Sequence, residues 1–505
     1  MKRRDFLKYA GISGASVFVP SSLNLVSLYK NANAAVQYDQ ASIMTPPAVM
    51  PQVINIFLYG GPSELAGNLT NIADIENNSQ NSYENVFNGI TQPTSGGGLI
   101  TPNGFWSGAG GDEMEFMLNN NYMSAYRTLH KVKDGTRSHR ESILMSIKGS
   151  LDIDTSAGVG TRMAALLMTH ASKYEASTSL ADNSPISSVN NLLLPFVSFE
   201  GESRIFAQDP DTTIPLGFRG TTLDDNFDNP YTRNSNNNAT RMDALVNKAM
   251  GAAERARFSG AVDAFTTREQ LEGQIGSLSD ANNETLNPLP TLSGADATEN
   301  GAATFTYPNN GFGRTVKAAV TLAIHNPSSL FISVGGSLGG WDDHNNGVDN
   351  YPNRMTNVMQ TLRAAMWHIK YMNGQTIANG NTRATTDNIV INVFGDFGRR
   401  VNLNNSMGWD HGNNQNLYTF GGAGVRSAAF AANRQLGKVV GTTAWTGSAG
   451  TNNQFTEPAP GSYQFEPMSI AASLYSYMGV ENPEILTSDE ERNPTGDPAI
   501  DETAT

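Results

Sequence analysis

Two short segments of this 505-residue chain set carboxylates beside an imidazole: Trp341-Asp342-Asp343-His344 and Trp409-Asp410-His411. The whole chain has only seven histidines. In an extended loop, residues two apart share a side, so Asp342 and His344 point together and Asp343 points away. Such an oxygen–imidazole pair suits zinc, manganese or iron. In the second segment the two side chains diverge. His411 is then a ligand, and Asp410 either orients a neighbour or joins a second site. A third segment, Gly395-Asp396-Phe397-Gly398-Arg399-Arg400, places a carboxylate where an apolar run stops. Asp396 there is a metal ligand or a turn cap. Arg399 and Arg400 either hold an anionic group or pair with acidic neighbours. Each segment alone is ordinary. Together they supply two histidines and two or three carboxylates, enough for one or two hard-to-borderline cations. The chain has no cysteine, so any metal is held by oxygen and nitrogen.

These loops need elements that bring them to one place. Short aliphatic runs at 53–58, 143–147, 194–199, 329–334 and 388–394 read as buried strands. Helical spacing runs through 353–374, where Met355, Met359, Leu362, Met366 and Ile369 share a face and Gly374 is the stop. Residues 240–265 and 466–483 are further helix candidates. Alternating strands and helices predict an α/β fold with a mainly parallel central sheet and helices on both faces. Ligands bind such sheets beyond the carboxyl ends of the strands. Ser63 and Glu64 follow the first run, Asp342 and His344 follow the fourth, and Asp396 follows the fifth. Asn- and Gly-rich stretches at 94–98, 234–238 and about 277–312 read as surface loops. The expected organisation is a single domain over 35–485, an insertion within 225–312, and a loose polar tail at 486–505.

Residues 1–34 begin with Arg3-Arg4 followed by Phe6-Leu7 and Lys8, continue through a mildly apolar stretch and end on Ala32-Asn33-Ala34. This is the pattern of a twin-arginine export signal with an A-x-A cleavage site. It implies passage through the twin-arginine translocase to the periplasm, and it is too polar for a stable membrane span. The formal net charge is −14, and the signal itself is basic, so the remainder is more acidic still. Such a chain repels phosphate backbones, which argues against nucleic acid as a partner. The first strand lacks a G-x-G-x-x-G turn, and there is no haem-attachment motif, so a redox cofactor has no support. His130, His170, His325 and His368 read as structural or solvated. Trp341 and Trp409 either wall the site or simply pack.

The segments "GGWDDHNN", "VFGDFGRRV" and "GWDHGNN…FGGAGV", in this order, resemble domain-of-unknown-function family 1501. That group of twin-arginine-exported proteins resembles a branch of the alkaline phosphatase/sulfatase superfamily. The likeness spans most of the chain after the signal and is most specific over about 329–426. It implies an alkaline-phosphatase-like fold with loop and helical insertions. It also implies that Asp342, His344 and His411 form one metal site and Asp396 part of a second. Ser138 or His139, in "TRSHRES", would then stand at the nucleophile-bearing turn. The sequence departs from the group's pattern at Asp396, which stands for a Glu, and at Asp343, which stands for a Thr. The first-strand turn lacks the usual Asp, so Ser63 or Glu64 would substitute as ligand. The resulting expectation is a hydrolase of phosphate or sulfate esters, acting on a small-molecule or glycan ester with divalent zinc, manganese, calcium or magnesium. The alternative is a non-catalytic exported binding protein on the same fold, with a structural or vestigial metal.

Overall fold

The run at 53–58 forms the middle of the sheet. In the computed structural model the described residues are 38, 40–42, 45–74, 100–201, 203–207, 221–229, 259–285, 288–290, 305–336, 340–429, 436–451, 453–489 and 491–504. The strands are β1 (Gln52–Leu58), β2 (Met123–His130), β3 (Phe196–Ser198), β4 (Thr221–Thr222), β5 (Phe331–Gly335), β6 (Ile389–Gly395), β7 (Asn414–Gly421) and β8 (Val439–Val440). They make one eight-stranded sheet in the order β4-β3-β5-β1-β6-β7-β2-β8. A separate two-stranded ribbon pairs β9 (Thr443–Gly447) with β10 (Gln454–Pro458). β1 pairs in parallel with both β5 and β6. β7 is antiparallel to β6 on one side and to β2 on the other, so β2 runs with the rest. The mainly parallel sheet expected from the sequence is present.

The described helices are α1 (Gly111–Asn119), α2 (His139–Lys148), α3 (Val159–Thr169), α4 (Ala171–Ser177), α5 (Ser259–Glu284), α6 (Gly311–His325), α7 (Gly347–Tyr371), α8 (Ala423–Ala429) and α9 (Pro467–Tyr477). They cover both faces of the sheet. Side chains alternate along β1 as the pleat requires. Ile54, Ile56 and Leu58 pack with residues of α1, α6 and α7. Val53 and Phe57 face the other way, toward α2, α3 and α9. The methionine-rich stripe of α7 is buried throughout, and Gly374 just beyond takes φ +76°. Among the described residues no helix is long and apolar enough to cross a membrane.

Three expectations change. The run at 143–147 is not a strand but the body of α2, where Leu144 and Ile147 share a buried face. Five apolar-rich residues carry no period long enough to separate strand from buried helix. The flanks decide it: Glu141 is in the first turn, Lys148 in the last, and Gly149 follows in the left-handed conformation. Within the presumed loop at 277–312, residues up to Glu284 belong to α5 and those from Gly311 to α6. The acidic C-terminal stretch is not loose. Leu486, Asp497, Ile500 and Glu502 are buried, and Glu502 accepts from Arg426 Nη1 (2.7 Å) and Tyr477 Oη (2.5 Å). Pairing each acid inside the fold lets a polar segment pack. The presumed signal at 1–34, the loops at 94–98 and 234–238, and most of 240–265 lie outside the described residues.

Candidate metal centre

The direction of β7 assembles the site. Because β7 opposes its neighbours, its first residue, Asn414, lies at the edge where β1, β5 and β6 end. The whole segment 396–413 therefore starts and finishes at the carboxyl edge. Asp342 and His344 reach the same edge between β5 and α7. His139, first residue of α2, reaches it after β2. Close backbone approach locks the loops together. Gly60 has φ +116°, and a Cβ there would sit 2.5 Å from the Asp342 amide nitrogen, so only glycine fits.

One ligating atom each from His139, Asp342, His344 and His411 lies within 4.8 Å of the others. Asp342 Oδ1 is 3.3 Å from His139 Nε2, 3.2 Å from His344 Nε2 and 3.6 Å from His411 Nε2. The two nitrogens of His344 and His411 are 2.8 Å apart. Two donors bound at ~2.1 Å to one cation stand at most ~4.2 Å apart, and these four pairwise separations of 2.8 to 3.6 Å fall inside that limit.

The opposite nitrogen of each ring fixes its tautomer. His139 Nδ1 is 2.6 Å from Asp396 Oδ2, His344 Nδ1 is 3.0 Å from Asp410 Oδ1, and His411 Nδ1 is 2.8 Å from the Arg137 carbonyl oxygen. A carboxylate or carbonyl only accepts, so each Nδ1 carries the proton. In the neutral rings every Nε2 then presents a lone pair toward the same point. Metal-binding histidines are oriented in this way by carboxylates and carbonyls behind them. His139 Nε2 is buried with no hydrogen-bond partner, as an atom awaiting a cation would be.

The electrostatics differ between the rings. Burial, then repulsion from Arg399, His139 and His344, pushes the His411 imidazole down to about 4, so it is neutral near pH 7. The hydrogen bond to Asp396 leads the effects that raise His139. Burial would raise the Asp342 carboxyl, but its hydrogen bond to Arg399 and the nearby positive charges outweigh that and hold it low. Asp410 is likewise held low, with burial overcome by His344, Asn404 and Arg400. Asp343 takes no part. It is buried and pairs with Arg354.

Asp342, His344 and His411 thus come together, and His139 joins them as a fourth group able to hold a metal ion. Asp396 is fully buried and bound to His139, with Gly60 donating its N–H to Oδ1 at 3.2 Å. It stands behind His139, outside the four groups able to hold one ion. Asp410 does the same for His344. Ser63 and Glu64 turn into the core: Glu64 accepts from Asn414 Nδ2 (2.7 Å), and burial pushes its carboxyl well up. The Arg399 guanidinium is committed to the protein. Nε donates to Gly61 O (2.6 Å), Nη1 to Trp409 O (2.9 Å), and Nη2 to Gly60 O, Trp341 O (3.2 Å) and Asp342 Oδ1 (2.7 Å). It staples three loops. Ser138 holds the N-cap position of α2, exposed, with extended backbone and no capping bond from its side chain. Trp341 and Trp409 are fully buried and pack edge-on against Tyr351 at 6.0 and 5.5 Å.

Of the other four histidines, His130 has a buried Nδ1 with no hydrogen-bond partner, and three bond within the fold. His170 reaches Tyr38 O, His325 Nδ1 accepts from Ala378 N–H, and His368 Nδ1 meets Tyr307 Oη. The chain matches no model of a known protein family and no curated protein.

Proposed function

We propose that this chain is a metal-dependent hydrolase of phosphate or sulfate esters, with one borderline divalent cation, zinc foremost, held by His139, His344, His411 and Asp342. The observation that carries the metal reading is the convergence of three lone pairs and a carboxylate, with His344 and His411 nitrogens 2.8 Å apart. A cation between the two lone pairs relieves that contact. Three imidazoles argue against calcium and magnesium, which take oxygen ligands. Such a cation polarises an ester oxygen and lowers the pKa of water at the site.

The chain's own residues supply the rest. Asp396 and Asp410 keep the rings in register, and Arg399 keeps Asp342 ionised. The Asp342 side chain is half exposed, which gives a substrate access. Arg137 and Arg400 stand over the Phe455 ring at 5.0 and 5.6 Å. They set positive charge beside His411 on an otherwise acidic protein, which favours an anionic ester. Ser138 is the exposed hydroxyl adjoining His139. The alkaline-phosphatase-like fold, the resemblance to family 1501 and export to the periplasm through the twin-arginine translocase belong to the same proposal. They are supported by the quoted motifs and by the mainly parallel sheet.

The test is to strip the full chain with a chelator, reload zinc or manganese, count bound metal, and assay aryl phosphates and sulfates. One metal per chain and turnover that vanishes in His411→Ala support the reading. Folded, fully loaded protein with no turnover on either ester class overturns it. One observation favours a second reading, a binding protein with a structural metal: four protein ligands close a tetrahedral shell, as structural zinc sites do. In that case His411→Ala melts the fold and there is no activity to lose.

A further inference from the structure

We infer that a cavity beside the metal centre receives the non-reacting organic part of the ester, and that this part is a single ring or short branched chain bearing a hydrogen-bond donor. The inference rests on the ester-hydrolase reading above. The cavity has a volume of about 280 Å³. Its apolar wall is Tyr59 with Ile143, Leu144 and Ile147 of α2, and its polar side is Glu200 with Ser203. Arg140 and Arg204 stand at its margin, both exposed.

One covalent link and one chain of hydrogen bonds tie the cavity to the centre. Arg140 directly follows the ligand His139. Tyr59 directly precedes Gly60, whose N–H donates to Asp396, and Asp396 in turn holds His139. A molecule lying along α2 can therefore place one end at the cation and the other against Ile143 and Ile147, which sit one turn apart on the same helix. The size falls just under the ~300–1,000 Å³ typical of sites for larger ligands, which suits one ring.

Glu200 sets the polar preference. Its carboxylate accepts from Tyr59 Oη at 2.7 Å, from Ser203 Oγ at 2.9 Å and from Ser333 Oγ at 2.5 Å. A carboxylate offers roughly four acceptor positions, so room remains for one donor from a ligand, a hydroxyl or an amine. Nothing in the metal centre uses these residues.

The experiment titrates 2-phenylethylamine, a ring with an amine, and ethylbenzene, the same ring without a donor, into the metal-loaded full chain by calorimetry. 2-Phenylethylamine is expected to bind at one site and more tightly than ethylbenzene. Ile143→Trp, which fills the cavity, weakens both by at least about tenfold, whereas Ile143→Ala, which enlarges it, keeps binding. Glu200→Gln removes the preference for the amine. In turnover, Ile143→Trp lowers the kcat/KM ratio of 4-nitrophenyl phosphate to methyl phosphate. Failure of folded protein to bind either ring, or binding indifferent to Ile143→Trp, overturns the inference. Ring binding lost in Ile143→Trp without any ester hydrolysis sinks the hydrolase reading and leaves the cavity as a ring-binding site. Hydrolysis with a ratio indifferent to Ile143→Trp does the reverse.

Discussion

Asp396→Asn separates a bracing carboxylate from a metal ligand. Asp396 Oδ2 lies 2.6 Å from His139 Nδ1, the side chain is fully buried, and its other oxygen accepts from Gly60. The amide is almost the same size, so the cavity stays filled. What is lost is the charge behind the ring. An amide oxygen still accepts from Nδ1–H but no longer makes the Nε2 lone pair more basic, and a flipped amide would present a donor to a donor. Removing such an outer partner typically costs ~10–100-fold in metal affinity, about 1.4–2.8 kcal/mol. The assay is competition for zinc against a chromophoric chelator, with elemental analysis for stoichiometry. We expect one metal per chain in both proteins and a dissociation constant raised within that range. The His139 pKa, read by NMR in the metal-free protein, should fall, because the Asp396 hydrogen bond leads the effects raising it. Unchanged affinity would refute the bracing argument. A drop from two metals to one would show that Asp396 is a ligand of a second site after all.

Other perturbations test other parts of the structure. His411→Ala removes a ligand and should weaken zinc binding by more than Asp396→Asn does, measured by the same competition. Glu64→Gln should leave metal stoichiometry intact, since Glu64 faces the core. Burial raises its folded pKa, so its contribution to stability is full below the unfolded value near 4.5 and fades as pH rises. The glutamine variant should therefore lose less Tm than the wild type between pH 5 and 8. His368 is the opposite case: burial leads the effects that lower it to about 3. Its stabilising contribution is present above the unfolded value of about 6.5 and is lost as pH falls toward 3, by on the order of several kcal/mol. Thermal melts from pH 7 to 4 should fall steeply in the wild type and more gently in His368→Gln.

Much of the centre was legible because its residues follow strands with strong aliphatic signals. β1, β5 and β6 are runs of Val, Ile and Phe, and the loops after β5 and β6 carry Asp342, His344, Asp396 and His411. His139 was named for its neighbourhood but not as a ligand, and the reason lies upstream. β2 (MSAYRTLH) and β7 (NQNLYTFG) are buried strands with polar sequences. Arg127, Asn414 and Asn416 are buried there yet bonded to Gly67 O, Glu64 and neighbouring backbone. Alternation of apolar and polar residues assumes that polar means exposed, and a buried polar stretch held by such donors breaks that assumption. Without β2, nothing placed the start of α2 at the right edge. The roles of Asp396 and Arg399 depend on distances of one side-chain length. Ligand and brace, anion clamp and staple, look the same in a sequence.

The reversal of β7 has a consequence for how this molecule can change over time. The stretch 396–413 leaves from one strand and returns beside it on the next, so both its feet stand on adjoining rungs of the same ladder. An out-and-back excursion of this kind can lengthen without moving either foot, at a closure cost of only ~0.6 kcal/mol per doubling. Three of the groups able to hold or brace a cation ride on it, together with both arginines of the "GRR" turn. Variation in that single excursion could retune what the centre accepts while the strands beneath keep their register.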